Sequence, residues 1–219
     1  MIQIDDAGSG SLIGGTGIGV MRAETQEYYF AVIPLPYYQP PLFFEKKYQD
    51  CVTDIVQEAF HKLAVAHDEP IEICRGYMFD NLRSWLSAQS YRWKNTIIEG
   101  TLQEKVEESF NQYVIDLGLP ENFVKHARYA FGFHRLLKWV FADLENRAAL
   151  CKTGWKSWQK WSRIERNIFI NKARKREYCL KCGKPIEYNE TVVTMEYVTN
   201  RFWTINLHAS CYTGAQYKR

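Results

Sequence analysis

Four possible metal ligands in the last quarter of the sequence constrain its fold more than any other feature. Cys179 and Cys182 are separated by two residues and are followed by Gly183. A second pair with the same spacing is formed by His208 and Cys211. A gap of two residues lets both ligands of a pair reach one ion, and a glycine permits the tight turn beneath them. Because four protein ligands leave no open position on the metal, the pattern predicts a structural zinc ion.

The residues between the two pairs are typical of a β-hairpin. Residues 191–197 and 201–206 are rich in Val, Thr, Tyr, Phe and Trp, and Asn200 is placed for the turn. A Cys-x-x-Cys knuckle, a hairpin and a helix with the last two ligands resemble a treble-clef zinc finger, most closely the LIM and poly(ADP-ribose) polymerase type. The resemblance covers residues 178–213 and implies a small domain that binds nucleic acid, binds protein or is purely structural.

The remaining cysteines bear on the redox state of the chain. Three of the six cysteines belong to the cluster, whereas Cys51, Cys74 and Cys151 are scattered. Clustering with a histidine favours metal binding in a reducing compartment over a disulfide framework. The alternative is a pair of buried reduced cysteines near a surface histidine. A redox-active Cys-x-x-Cys is less favoured, since it would not require His208 and Cys211.

Hydropathy and charge predict a cytoplasmic protein without a membrane partner. The first residues, Met1 to Asp6, include no basic segment and no long apolar run, so no signal peptide is predicted. Because the sequence contains no stretch of about 18 apolar residues, no membrane span is predicted either. The formal net charge of +3 is too small to identify a partner by itself.

The order of predicted elements indicates an α/β domain ahead of the finger. Three short strands, beginning with residues 1–5, are followed by a helix, a strand, a helix, a strand and further helices. With 46% hydrophobic residues, the chain has enough apolar surface for a core. We predict an α/β domain over residues 1–150, a basic tryptophan-rich linker helix over residues 151–177 and the finger over residues 178–219.

The predicted linker carries a concentrated positive charge. Nine basic residues lie from Lys152 to Arg176, opposed by Glu165 alone, and three tryptophans recur at every third position. Cations neutralise phosphates and aromatic faces stack on unpaired bases, so nucleic acid is the predicted partner. The alternative is a helix whose tryptophans pack on the main domain while its lysines remain in water. The candidate phosphate contacts are Lys152, Lys156, Lys160, Arg163 and Arg166.

The first predicted strand ends in an acidic pair and a glycine-rich turn. The run from Ile4 to Gly14, IDDAGSGSLIG, resembles the opening motif of type 2 ribonuclease H, in which an acidic pair precedes a glycine–arginine–glycine turn. It is also similar to Holliday-junction resolvases of the same superfold, whose turn leads into a Gly-x-Gly-Val strand such as residues 17–20. Both resemblances imply a ribonuclease H-like mixed sheet with helices and a catalytic Mg²⁺ or Mn²⁺ site at Asp5 and Asp6.

The rest of such a metal site is incomplete in the sequence. The resemblance implies a glutamate at the end of the fourth strand, where this chain has Cys74. Three carboxylates are possible replacements, namely Glu72, Asp80 and Glu99. Asp80 is also placed to cap a helix, and Glu99 can simply precede one. The segment that matches the acidic last helix of resolvases contains His126 and, further along, His134.

Three functions are compatible with these patterns. The first is a divalent-metal-dependent nuclease acting on RNA–DNA hybrids or structured DNA. The second is a non-catalytic nucleic-acid-binding or scaffold protein that kept the fold and lost the acids. The third is an ATP-binding member of the actin-like superfold, for which the chain is short because that class needs two such domains. A nuclease requires at least three carboxylates near Asp5, whereas a binding protein requires only the basic surface.

Overall fold

The computed structural model describes residues 1–124 and 132–214, and its contacts divide the chain into two units. The N-terminal unit comprises Met1–Phe131 and Leu150–Trp155. The C-terminal unit comprises Gly132–Ala149 and Lys156–Arg219. The chain therefore leaves the N-terminal unit, returns to it for a short segment and leaves it again.

The N-terminal unit is built on a mixed five-stranded sheet. Its strands are β1 (Ile2–Ala7), β2 (Thr16–Arg22), β3 (Tyr28–Ile33), β4 (Ile71–Cys74) and β5 (Trp93–Thr96), in the order β3-β2-β1-β4-β5. β2 is antiparallel to both β1 and β3, whereas β4 is parallel to both β1 and β5. The first strand therefore lies at the centre of the sheet, and the unit has the mixed α/β architecture that the sequence predicts.

Helices cover both faces of this sheet. They are α1 (Lys47–Lys62), α2 (Asp80–Ala88), α3 (Thr101–Asp116) and the short α4 (Glu121–Val124). On one face, Ile4 and Val20 lie in a core that α1 and α2 complete with Val56 and Leu82. On the other face, α3 packs on β1 and β2 with buried residues such as Val106. The apolar residues of α1 and α3 recur at three- and four-residue spacings, so each helix buries one stripe.

A glycine in β2 lets α3 lie directly on the sheet. Gly19 faces the helix, and an added Cβ at this position would overlap with Cγ2 of Val106. Gly19 is also the partner of Asp5 in the antiparallel pairing of β1 with β2. The close approach of α3 at Gly19 therefore brings the helix next to the acidic end of β1.

We expect Gly19→Ala to destabilise the N-terminal unit by about 1–3 kcal/mol, because the new methyl group must displace Val106 or move α3 off the sheet. Gly10→Ala is the matched control, since no described heavy atom beyond its chain neighbours lies within 4 Å of a Cβ there. It should change stability by less than about 0.5 kcal/mol. Urea unfolding followed by circular dichroism measures both variants. Equal stability of Gly19→Ala and the wild type would contradict this packing.

The C-terminal unit contains two small antiparallel sheets. Strands β6 (Asn167–Lys172), β9 (Thr191–Val198) and β10 (Phe202–His208) form one sheet in the order β10-β9-β6, and β7 (Glu177–Tyr178) pairs with β8 (Pro185–Ile186) in the other. Its helices are α5 (Phe133–Phe141), α6 (Leu144–Arg147) and α7 (Lys156–Trp161). The hairpin predicted around Asn200 is the β9–β10 pair.

Residues 151–177, predicted as a linker helix, do not form one helix. Within them α7 spans six residues, and β6 follows it and pairs with β9. The β6 sequence NIFINK contains β-branched and aromatic residues, which favour a strand over a helix. The residues just before α7 belong to the N-terminal unit, where Ile13 forms a β-bridge with Cys151.

Helices α5 and α6 belong to the C-terminal unit, although the sequence analysis placed residues up to 150 in the first domain. The guanidinium of Arg147 donates hydrogen bonds to the carbonyl oxygens of Leu180 at 2.7 Å and Lys181 at 3.0 Å. The ring of Phe141 contacts that of Tyr197 on β9 edge to face, with centroids 5.0 Å apart. These contacts join residues that are distant in sequence, so the local pattern of the helices does not predict them.

The described helices also bear on membrane association. The longest of them, α1 and α3, have 16 residues each. Among the residues that the structure describes, no helix is long and apolar enough to cross a bilayer.

Candidate metal centres

The four predicted zinc ligands lie together in the C-terminal unit. One ligand atom from each of Cys179, Cys182, His208 and Cys211 lies within 4.8 Å of the other three. Nδ1 of His208 is 3.3 Å from Sγ of Cys182 and 3.9 Å from Sγ of Cys211. Ligands bound tetrahedrally at about 2.0–2.3 Å are about 3.5–4 Å from one another. The four donors could therefore hold a single zinc ion.

Hydrogen bonds around Cys179 set the backbone of the knuckle. Its N–H donates to the carbonyl oxygen of Lys184 at 2.9 Å, and the N–H of Gly183 donates to the carbonyl oxygen of Cys179 at 2.8 Å. Gly183 has a φ of +73°, a left-handed conformation that favours glycine. The knuckle therefore forms the turn between β7 and β8, with the first ligand pair inside it.

The second ligand pair differs from the prediction in its backbone. His208 is the last residue of β10, and Cys211 ends a three-residue 3₁₀ turn, whereas the sequence analysis expected a helix to carry both. Nε2 of His208 lies 2.9 Å from the carbonyl oxygen of Pro185. This carbonyl accepts the Nε2 proton, which leaves the lone pair of Nδ1 for a metal. The hydrogen bond thus orients the ring toward the cysteines.

We expect the purified protein to contain one zinc ion per chain, measured by elemental analysis. Cys182→Ser should lose most of the zinc and unfold the C-terminal unit at a lower temperature, because metal binding energy is also folding energy. Cys51→Ala, a change at a buried cysteine of α1, should keep the full zinc content. Folded wild-type protein without zinc, or Cys182→Ser with full zinc content, would disprove this assignment.

A second group of possible ligands lies in the N-terminal unit. One ligand atom from each of Asp5, Asp6 and Cys74 lies within 4.8 Å of the other two, and Sγ of Cys74 is 3.9 Å from Oδ1 of Asp6. Because β1 and β4 are parallel, their carboxyl ends meet at one edge of the sheet. Asp5 and Asp6 are successive residues near the end of β1, and both line one cavity at this edge.

Burial dominates the electrostatics of this group. Only 6% of Asp5 is exposed. Burial raises the pKa of Asp5 from 3.8 to about 6; the charges of Asp6 and Glu107 add to this, and a hydrogen bond from Cys74 opposes it. Burial also raises the pKa of Asp6, and it raises the pKa of the Cys74 thiol to about 11. Two poorly solvated carboxylates beside a neutral thiol favour either protonation or a bound cation.

A third carboxylate, Glu107 of α3, was missed by the sequence analysis. It lines the same cavity of about 280 Å³ as Asp5, Asp6 and Cys74. Nε2 of Gln103, one turn earlier on the helix, donates to Oε1 of Glu107 at 3.1 Å. In the sequence, Glu107 follows Val106, one of the buried residues of α3, and this position could have indicated that it faces the site. That signal does not separate it from the other glutamates of the helix, because the rotation of α3 on the sheet decides which of them faces Asp5.

The three carboxylates proposed from the sequence do not join this group. Glu72 lies opposite Gln3, and its carboxylate contacts the ammonium of Lys94 at 2.9 Å. Asp80 is the first residue of α2 and forms an ion pair with Arg83 at 2.8 Å. Glu99 is exposed and precedes α3. Glu72 lies two residues before Cys74 on β4, so its carboxylate does not reach the end of the strand. The ion pair with Arg83 keeps the carboxylate of Asp80 beside α2.

The two histidines considered as ligands do not support the site either. His126 lies outside the described residues. His134 is on α5 in the C-terminal unit, where its ring stacks on that of Trp203 with centroids 6.0 Å apart. Within the described residues, neither metal group contains a histidine other than His208.

Lys152 is not an exposed phosphate contact, contrary to the sequence prediction. Its side chain is fully buried in the N-terminal unit. The ammonium donates to the carbonyl oxygen of Gly8 at 2.8 Å and to Oγ1 of Thr16 at 3.0 Å, and it lies 4.3 Å from the ring centre of Tyr38. Burial lowers its pKa to about 7, and the charge of Asp6 opposes this shift. Lys152 therefore stabilises the glycine turn by hydrogen bonds to Gly8 and Thr16.

The other four basic candidates lie in the C-terminal unit. Lys156, Lys160 and Arg163 are exposed and accessible to a phosphate backbone. The guanidinium of Arg166 is only partly exposed and lies 4.6 Å from the ring centre of Phe141. Arg166 therefore takes part in the packing of α5, which leaves three of the five predicted contacts at the surface.

The sequence matches no known protein-family model and no curated protein. The resemblances to type 2 ribonuclease H and to resolvases therefore rest on the motif from Ile4 to Gly14 and on the site that it forms.

We expect Asp5→Asn to stabilise the protein at pH 7 in buffer without added divalent cations. Because the folded-state pKa of Asp5, about 6, exceeds 3.8, the wild type loses stability as pH rises through this window. An amide does not titrate, so the variant should gain about 2–3 kcal/mol at pH 7 and less than about 1 kcal/mol at pH 4. Urea unfolding at both pH values measures the difference.

Asp80→Asn is the control for this comparison, because Asp80 is exposed and paired with Arg83. It should bring no gain in stability at pH 7, because the Asp80 carboxylate is in contact with water and with a cation. A destabilised Asp5→Asn variant at pH 7, or a gain that does not grow with pH, would show that the carboxylate is not strained by burial.

Proposed function

We propose that the N-terminal unit is a divalent-metal-dependent nuclease of the ribonuclease H-like type. The observation that carries the proposal is the meeting of Asp5, Asp6 and Cys74 at the carboxyl end of the central strand. This edge is where the motif resemblance implies a metal site. The mixed sheet, with β1 at its centre and helices on both faces, is consistent with that fold.

The chemistry of the donors suits a divalent ion. Asp5 and Asp6 supply hard oxygen ligands of the kind that Mg²⁺ and Mn²⁺ prefer, and Glu107 lines the same cavity although it does not belong to the group of close ligand atoms. Cys74 adds a softer ligand, which favours Mn²⁺ over Mg²⁺. Such ions supply charge stabilisation at the phosphate and a water of lowered pKa. The exposed side chain of Arg75 lines the same cavity and is placed to bind a phosphate oxygen.

Nucleic acid is the proposed substrate, as an RNA–DNA hybrid or a structured DNA. The turn after β1 offers a close approach to a phosphate backbone, because Ser9 and Gly10 are exposed and Gly8 adopts a positive φ of 80°. In the C-terminal unit, Lys156 and Lys160 are exposed cations that supply sequence-independent affinity. We assign the four-ligand cluster a structural zinc and a treble-clef type of finger that holds this unit together.

The test is cleavage of a panel of RNA–DNA hybrid, single-stranded DNA and branched DNA with Mg²⁺ or Mn²⁺. We expect cleavage that is at least as fast with Mn²⁺ as with Mg²⁺. Asp5→Asn should lower the rate by roughly 100-fold or more, because it removes several kcal/mol of charge stabilisation around the metal. Glu107→Gln should also lower it, whereas Asp80→Asn should not. Equal cleavage by the wild type and Asp5→Asn would identify a contaminant.

A non-catalytic nucleic-acid-binding protein is the second candidate. The observation that favours it is the thiol of Cys74 at a position where the resemblance implies a glutamate. Burial raises the pKa of this thiol to about 11, so Cys74 contributes no negative charge at pH 7 unless a metal displaces its proton. Binding to members of the panel without cleavage of any of them would favour this candidate over the nuclease.

A further inference from the structure

A groove with an excess of positive charge lies in the C-terminal unit, apart from the four zinc ligands. Its volume is about 670 Å³. Its cationic lining comes from α5, from β6 and the segment after it, and from the β9–β10 turn: Lys138, Lys172, Arg174, Lys175 and Arg201. Two acidic residues, Glu177 and Glu196, also line it. Five cations against two carboxylates leave the groove positively charged.

The contacts of these residues leave the positive charges largely uncompensated. The carboxylate of Glu177 accepts a hydrogen bond from Nδ2 of Asn206 at 2.6 Å. Burial lowers the pKa of Lys138; Glu177 opposes this shift, and the positive charges of Lys175 and Arg201 add to it. Lys175 and Arg201 therefore lie close enough to Lys138 to repel its ammonium. A bound polyanion would relieve that repulsion.

Aromatic rings line the same groove. The ring of Trp203 is held in place, because it stacks on Tyr197 with centroids 6.5 Å apart and the Arg201 guanidinium lies 3.9 Å from its centre. Its neighbour Phe202 is 58% exposed and lines the groove. An exposed ring beside uncompensated cations provides a stacking face next to phosphate contacts.

The alternation of β10 places three of the groove's residues on one surface. Successive side chains of a strand point to opposite faces, so Phe202, Thr204 and Asn206 lie on one face of β10. Glu196 of β9 is the partner of Thr204 in the same sheet. Thr204 and Asn171, which also line the groove, offer hydrogen-bond donors and acceptors beside the exposed ring.

We propose that this groove binds single-stranded nucleic acid, with its cations on the phosphates and Phe202 stacked on an unpaired base. A duplex keeps its bases stacked on one another, so it gains less from an exposed ring. An acidic peptide would neutralise the cations but offers no base to stack on Phe202. The proposal is independent of the cleavage assigned to the Asp5 site, since the groove is built from other residues.

The experiment measures binding in an Asp5→Asn background, so that cleavage cannot affect it. Fluorescence anisotropy is recorded with labelled single-stranded DNA and RNA of about 12 nucleotides and with the duplex of the same sequence. We expect either or both single strands to bind more tightly than the duplex. Phe202→Ala should weaken that binding about tenfold, because loss of a stacked base costs about 1–3 kcal/mol. Tyr188→Ala is the matched control, since Tyr188 is 74% exposed outside the groove.

The phosphate contacts are tested by removing two adjacent, exposed cations of the groove. The double variant Arg174→Gln, Lys175→Gln should lower the affinity and reduce the slope of log K against log salt by about 1.4, since each phosphate contact to a single strand contributes about 0.7. The double variant Lys46→Gln, Lys47→Gln removes the same charge from the N-terminal unit and should change neither. Zinc content and circular dichroism confirm that each variant is folded.

Three outcomes would overturn the proposal. The first is wild-type affinity for single strands in both Phe202→Ala and the Arg174, Lys175 double variant. The second is equal binding of the duplex with the same dependence on Phe202. The third is tight binding of a glutamate-rich peptide that Phe202→Ala weakens to the same extent. None of these outcomes bears on whether the Asp5 site cleaves, so the two proposals fail separately.

Discussion

The buried ammonium of Lys152 is the interaction on which the acidic end of the N-terminal unit depends. A buried charge is costly unless it is paired or hydrogen-bonded. This one bonds to the carbonyl oxygen of Gly8 and the hydroxyl of Thr16, lies over the ring of Tyr38 and is attracted by Asp6. These contacts fix both ends of the glycine turn that follows β1. They also explain why the chain returns to this unit for residues 150–155 after α5 and α6 have joined the other one.

A second constraint acts from the opposite face of the sheet. Because Gly19 has no side chain, α3 lies directly on β2. Gly19 is the strand partner of Asp5, so the helix also lies close to Asp5. The helix shields Asp5 from water and brings Glu107 to the same cavity. The burial that raises the pKa of Asp5 is therefore a consequence of the packing that assembles the carboxylates. A site of this kind lowers the stability of the unliganded protein and increases its affinity for a cation.

The features that the sequence predicts well are those set by local spacing or by strand periodicity. The clustering of Cys179, Cys182, His208 and Cys211, the glycine at 183 and the β9–β10 hairpin all follow from patterns of spacing and alternation in the sequence. Glu107, the buried role of Lys152 and the membership of α5 and α6 depend on contacts between distant parts of the chain. The prediction of a single helix for residues 151–177 was wrong. The tryptophan periodicity extends only over the short α7, and the residues that follow it favour the strand β6.

The two metal groups differ in what the protein provides before any ion binds. In the Cys/His group, backbone hydrogen bonds shape the knuckle, and the carbonyl of Pro185 orients the ring of His208, so the donors are placed by bonds that need no metal. Around Asp5, the donors lie in a poorly hydrated pocket, where burial raises the pKa of Asp5 and repulsion by Asp6 adds to the shift. The neutral thiol of Cys74 reduces that repulsion by one charge compared with a glutamate. A metal bound through Cys74 would displace the thiol proton, so its affinity for this edge would rise with pH.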